Sequence, residues 1–307
     1  MALMLLSCLS LYGQDERHTQ GNEHTYGQEV RHPRYNRHTY GKDHTQDNTP
    51  YNEHTPANKE VLHSSMIGVG SSNVLDTYLS PYSYTGTDIR IQRETMRMTN
   101  LWGGRVSNQS FIDINVAINS NHAGNFDEYA GGIRYSQGWL YNLFDGNIVN
   151  PVERSSSRWN FAVGAAASGY LGCVYIDRSG NNPAQAKADV MIDASAMVAY
   201  DMRIAGHHYL WRYQVSVPLL GIAFSPNYGQ SYYEAFMLGN ADHNVVFAYF
   251  GNMPSMRHRL TLDIPIKRYT LRVGYVAQFN QSTFNHLKYH SYSHDFMIGF
   301  NKYLYRR

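Results

Sequence analysis

The chain is poor in charge, in cysteine and in long apolar runs. Charged residues make up 16% of its 307 positions, where water-soluble domains usually carry about 25%. The net charge is only +2. No basic run with interleaved aromatics accompanies it, so nucleic acid is not expected as a partner. Of the two cysteines, Cys8 lies in the apolar leader, which leaves Cys173 without a partner for an internal disulfide. One charge-free stretch of 16 residues that could suggest a spanning helix is Phe161 to Ile176, which holds Gly164, Gly169 and Gly172. A spanning helix needs about 20 apolar residues, so this stretch is too short and too glycine-rich. Read with a period of two, it puts Phe161, Val163, Leu171, Cys173 and Tyr175 on one face. Ala162, Gly164, Ala166, Ser168 and Gly172 share the other, as in a strand.

What is abundant is tyrosine, at 26 residues, with aromatics at 14%, and a two-residue alternation that recurs from Val61 onward. The clearest example is Arg257 to Phe279. Leu260, Leu262, Ile264 and Ile266 lie on one face, against Arg257, Arg259, Thr261 and Asp263 on the other. After Arg268 and Tyr269, Leu271, Val273, Tyr275 and Phe279 oppose Arg272, Gly274 and Gln278, with Val276 out of pattern. Two such strands with almost nothing between them form a tight hairpin. Asp189 to Arg203 alternates in the same way and returns through Tyr209 to Val217, with a bulge expected at Pro218. Counting Tyr232–Leu238 and Val245–Phe250 as strands gives a transmembrane β-barrel of about twelve strands, or ten as the fallback. Its apolar face would meet lipid and its polar face the lumen. Tyr209, Trp211, Tyr269, Tyr303 and Tyr305 stand where interfacial girdles belong.

Residues 1–13 form an apolar segment ending in small residues and read as a signal peptide. Residues 14–60 are a low-complexity linker in which His-Thr recurs at His18, His24, His38, His44 and His54. So little apolar surface cannot offset the entropy of ordering, and the linker is expected to be disordered. Its imidazoles offer weak transition-metal binding, but the spacing matches no zinc-finger geometry. Residues 61–307 form the barrel.

The stretch PLLGIAFSPNYGQSYYE (Pro218 to Glu234) and the stretch PSMRHRLTLD (Pro254 to Asp263) resemble a domain-of-unknown-function family. That family comprises predicted outer-membrane β-barrel proteins of anaerobic Gram-negative bacteria. The resemblance covers Val61 to Arg307. It implies the bacterial outer membrane, with its lipid and lipopolysaccharide and the barrel-assembly machinery as partners. It brings no activity, cofactor or catalytic residue. The end, Tyr305-Arg306-Arg307, departs from the terminal aromatic by which barrels are usually recognised for assembly.

The expected lumen network is Asp193, Asp201, Arg212, Arg257, Arg259, Asp263 and Arg272. Both signs are present in similar numbers, which points to mutual neutralisation, whereas a selective pore would show one sign in excess. Arg212 is expected to face the strand carrying Asp193 and Asp201. The rival class is a lipid hydrolase with a Ser/His pair at the membrane boundary. Ser120 with His122 and Ser231 with His243 are the candidates, and His290 with His294 is uncommitted. No nucleophile motif accompanies them, so non-enzymatic readings lead and no cofactor or resident metal is expected. A variant that fuses the leader directly to Val61 is expected to insert as the full chain does. Normal export without insertion would show that the linker is needed for assembly.

Overall fold

The computed structural model describes residues 60–144, 149, 159–177, 183–266 and 269–305. The expected signal peptide, the His-Thr linker up to residue 59 and Lys267 lie outside the described residues, while Glu60, expected in the linker, already belongs to the first strand. Eleven strands follow one another among the described residues: β1 (Glu60–Asp76), β2 (Ser83–Met98), β3 (Val106–Ser120), β4 (Asp127–Asn142), β5 (Trp159–Ile176), β6 (Ala184–Ile204), β7 (His207–Phe224), β8 (Val245–Tyr249), β9 (Met256–Ile266), β10 (Tyr269–Phe284) and β11 (Leu287–Tyr305). All pairings are antiparallel. β1 pairs with β2 on one side and with β11 on the other. β6 pairs with β7, and β7 with β9. Ten strands therefore close a ring in the order β1 to β7, then β9, β10 and β11, and β8 lies outside it.

The expectation of about twelve strands is corrected to the fallback of ten plus one. Tyr232–Leu238 is not a strand. Tyr232–Phe236 is a short helix, α1, begun by a capping box in which Ser231 and Glu234 each accept a backbone hydrogen bond from the other. Val245–Phe250 contributes only the five-residue β8, paired with the end of β7. The other expected strands exist and run longer than their cleanest alternation. The bulge at Pro218 is present: the β6–β7 register shifts between Ile192 and Asp193, which face Leu220 and Pro218.

Alternation builds the wall as expected. On β5, Ala162 is buried inside while Phe161, Val163 and Leu171 are exposed outside. Ile67, Val190 and Phe296 are 55%, 58% and 72% exposed, a surface suited to lipid and a liability in water. No helix among the described residues is long and apolar enough to cross a membrane. Inward-facing glycines allow the sheet to coil tightly. A Cβ on Gly299 would run into the Ser65 carbonyl of the neighbouring strand, so this position tolerates no side chain.

The wall has one irregular seam. β8 and β9 both pair with β7, but the segment 250–255 interrupts them. The end of β10 has no ladder with β8. Asn252 fills the break. Its side chain accepts from the Tyr249 amide at 2.8 Å and donates to the Phe247 carbonyl at 2.9 Å, and its backbone carbonyl accepts from Thr283 of β10 at 2.8 Å. Asn252→Ala is expected to speed amide exchange at Tyr249 and Thr283, at a local cost of about 1–3 kcal/mol. Exchange elsewhere in the ring should not change. Unaltered exchange at both sites would mean that the seam is held by other contacts.

Candidate functional site

The candidate site is the lumen. It is filled in layers from the end where β1 begins and β11 ends, called the terminal end below, to the opposite end.

At the terminal end, Leu62, Met96, Leu140, Ala162, Met197 and Leu210 form a buried apolar cluster inside the ring. They come from β1, β2, β4, β5, β6 and β7, so the cluster closes this end from most of its circumference.

The next layer holds charge. Arg272 donates to both oxygens of Asp263 at 2.6 and 2.8 Å and to Glu94 at 2.6 Å. Arg212 reaches the other oxygen of Glu94 at 3.7 Å. Gln109 and Gln214 exchange two amide hydrogen bonds at 3.1 and 2.9 Å. The Arg259 guanidinium lies 4.0 Å above the Phe111 ring. In a ten-strand ring β2 stands opposite β7, and β3 opposite β9. The Arg212–Glu94 and Arg259–Phe111 contacts therefore tie opposite walls.

A third layer is centred on Arg90, which binds Asp295 and Asp113 at 2.7 Å and Asp88 at 3.1 Å. Arg90 also donates to Gln278 and Ser293 at 3.0 and 2.8 Å. Beside it, Arg257 pairs with Asp193, and Arg134 binds Asp189 through two bonds at 3.0 and 3.1 Å. Toward the far end, Lys187 of β6 pairs with Asp76 of β1 at 2.9 Å and lies 3.9 Å from the Tyr289 ring. These strands too are opposite in the ring.

The far mouth is covered by the connection between β7 and β8, which carries α1. The Tyr232 hydroxyl accepts from the Ala186 amide of β6 at 2.7 Å, and its ring meets Tyr78, beyond β1, edge-on at 6.0 Å. Tyr78 donates to the Gln230 carbonyl at 2.8 Å. Asn285, in the turn between β10 and β11, donates to the Ser225 and His243 carbonyls at 3.1 and 3.0 Å. One connection is thus fastened to three parts of the rim. Burial pushes the Tyr232 phenol up to about 12 and also raises that of Tyr78, with Asp76 and Glu234 adding to the effect.

The structure places six of the seven expected network residues among these buried layers: Asp193, Arg212, Arg257, Arg259, Asp263 and Arg272. It brings together Arg272 with Asp263 and Arg257 with Asp193. Arg212 does face the strand carrying Asp193 and Asp201, as expected. Arg212 lies opposite Ala199 in the β6–β7 register and reaches across the lumen to Glu94. Asp201 stands apart near the terminal end, where it bonds His208 at 2.9 Å. Sequence reasoning left Arg90, Glu94, Asp88, Arg134, Asp76 and Lys187 unassigned. The even spacing of Asp88, Arg90, Gln92 and Glu94 was the signal for four lumen-facing positions on β2.

No serine among the described residues lies within hydrogen-bonding distance of a histidine ring. Ser120 donates to Asp127 at 2.9 Å, and Ser231 is engaged in the helix cap. On the outer face His290 bonds Asn73 at 2.8 Å, while His294 and His258 bond the hydroxyls of Tyr275 and Tyr213 at 2.6 and 2.7 Å.

The model of a family described as a protein of unknown function, DUF3316, matches residues 40–307. The chain belongs to the DUF3316 family. No curated protein matches it. Solved structures similar to this DUF3316 chain are outer-membrane barrels. The transport unit of the autotransporter AIDA-I from Escherichia coli is 9% identical, with a TM-score of 0.40 over 82% of this chain and 92% of that one. The translocator domain of NalP from Neisseria meningitidis is 8% identical, with a TM-score of 0.36 over 80% and 89%. The COG4313 outer membrane channel from Pseudomonas putida F1 is 8% identical, with a TM-score of 0.33 over 84% and 100%. Likenesses this distant carry no activity over to the DUF3316 chain.

Arg272→Met would leave Glu94 and Asp263 buried without their main partner, and is expected to cost about 3–5 kcal/mol. Urea unfolding followed by gel migration measures this. Undiminished stability would mean that these pairs do not hold the ring.

Proposed function

We propose that the protein is an integral barrel of the bacterial outer membrane that acts as a closed structural element and not as an open pore. The observation that carries this reading is the set of bonds across the ring: Lys187 to Asp76, Arg212 to Glu94, and Arg259 over Phe111. Eight-stranded barrels are filled by side chains and porins need about sixteen strands. A ten-strand ring with charged side chains paired across it belongs with the first group. The apolar plug at one end and the fastened connection at the other support the same reading.

Placement in the membrane rests on the apolar outer face. That face includes a groove of about 490 Å³ bounded by Ile133, Leu171, Val190 and Ile222, shaped to take acyl chains of outer-membrane lipid or lipopolysaccharide. Insertion would call on the barrel-assembly machinery. The His-Thr linker is proposed as a weak site for zinc, copper or nickel, and calorimetry with zinc should lose its signal when residues 14–60 are deleted. Among the described residues the hydrolase reading lacks the Ser–His contact that would favour it.

Detergent-solubilised protein is expected to show a β-type circular dichroism spectrum and heat-modifiable gel migration. In planar bilayers it should conduct little. A helical spectrum would refute the barrel. Large, stable, porin-like steps would refute the closed lumen and favour transport.

A further inference from the structure

The ion pairs of the second lumen layer leave one positive charge over. Arg272 and Arg212 are matched by Asp263 and Glu94 through the pairs already described. Arg259 is 7% exposed and makes no ion pair among the described residues. Its Nε atom is buried without a hydrogen-bond partner. Asp113, one of the nearby carboxylates, has one oxygen bonded to Arg90 and the other to Gln92. Phe111 offers only its ring face. A guanidinium in a water-poor interior without an anion is costly.

The same place contains a second unmet donor. The Ser64 hydroxyl is buried and has no hydrogen-bond partner. Ser64, Arg259, Arg212 and Arg272, with the amides of Gln92 and Gln214, line one cavity of about 20 Å³. A single water needs roughly 10–15 Å³ of such space, whereas sites for organic ligands run to about 300 Å³ or more. The cavity therefore admits a particle of one heavy atom. Three arginines against one carboxylate in its lining select for negative charge.

We infer that this cavity is a binding site for a single small monovalent anion, chloride under ordinary conditions, held by Arg259 and Ser64 from walls three strands apart in the ring. The anion completes the neutralisation of the layer. It also couples β1 to β9, which are not neighbours in the sheet. Carboxylic acids, phosphate and sulfate are too large for the space.

The test uses the full chain in detergent, with unfolding temperature read by heat-modifiable gel migration in chloride, bromide or gluconate at equal ionic strength. Stabilisation by chloride and bromide over gluconate is expected. Arg259→Met should abolish the difference between salts, and Ser64→Ala should raise the halide concentration needed for half the effect several-fold. Crystals of the unmutated protein grown in bromide should show one anomalous peak within reach of Arg259 and Ser64, a readout that does not depend on either variant folding. Equal stability in all three salts, or ordered water with no bromide in the cavity, would overturn the assignment. A halide effect that survives in Arg259→Met would overturn it as well.

Discussion

A charge removed from water must find an opposite charge within a few ångströms, and the lumen is organised by that requirement. The cost of burying an isolated guanidinium or carboxylate is several kcal/mol even after relaxation. Ten strands make a ring narrow enough for a side chain on one wall to reach the other. Arg212 can therefore satisfy Glu94 five strands away in the ring, and Lys187 can satisfy Asp76. In a wider ring the same residues would line a hydrated channel and stay on their own walls. Strand number and charge placement thus fix each other: the ring is small enough to be filled, and the filling ties the ring together.

The two ends solve different problems. At the terminal end apolar side chains such as Leu62, Met96 and Leu210 pack together inside the ring, driven by the exclusion of water from their surfaces. At the far end the sheet is less regular. The β7–β8 connection lies over the rim, and Asn252 replaces a missing length of ladder. An unpaired strand edge facing lipid would leave backbone groups without partners, which the membrane does not tolerate. Asn252 supplies those partners from one side chain and its own carbonyl. The cap and the seam are adjacent in the chain, since both belong to the excursion between the end of β7 and the start of β9.

Much of the wall was legible in the sequence. The hairpin from Arg257 to Phe279, the small inner face of β5 and the slip at Pro218 follow from alternation and proline chemistry alone, and the structure has them. One signal was misread and another was left unread. Tyr232–Leu238 is aromatic enough to pass for a strand, yet Ser231 and Glu234 stand at capping-box spacing, and the helix is begun by that box. In β2 the inward set runs Asp88, Arg90, Gln92, Glu94 and then Met96. Met96 belongs to the apolar plug, and Arg93 and Arg97 face outward, so the chemistry of the two faces changes sides near the strand end and hides the register. Partner identity was not legible at all. Whether Arg212 meets Asp193 or Glu94 depends on how the ring closes, and closure is a property of ten strands together.

Balance over a whole lumen is also a weaker statement than balance at each point. Counting signs along the inward faces gives similar numbers, which suggests neutralisation, but the structure distributes them unevenly. Around Arg90 three carboxylates share one guanidinium. One layer toward the terminal end, Arg212 and Arg272 take up Glu94 and Asp263, and Arg259 beside them has only the Phe111 ring. Ion pairing falls off steeply once both groups are engaged elsewhere, so surplus acid in one layer does not satisfy surplus base in the next. Carboxylates thus gather around Arg90 and arginines one layer nearer the terminal end. The place where an arginine is left over beside an unmet donor is the one around Arg259 and Ser64.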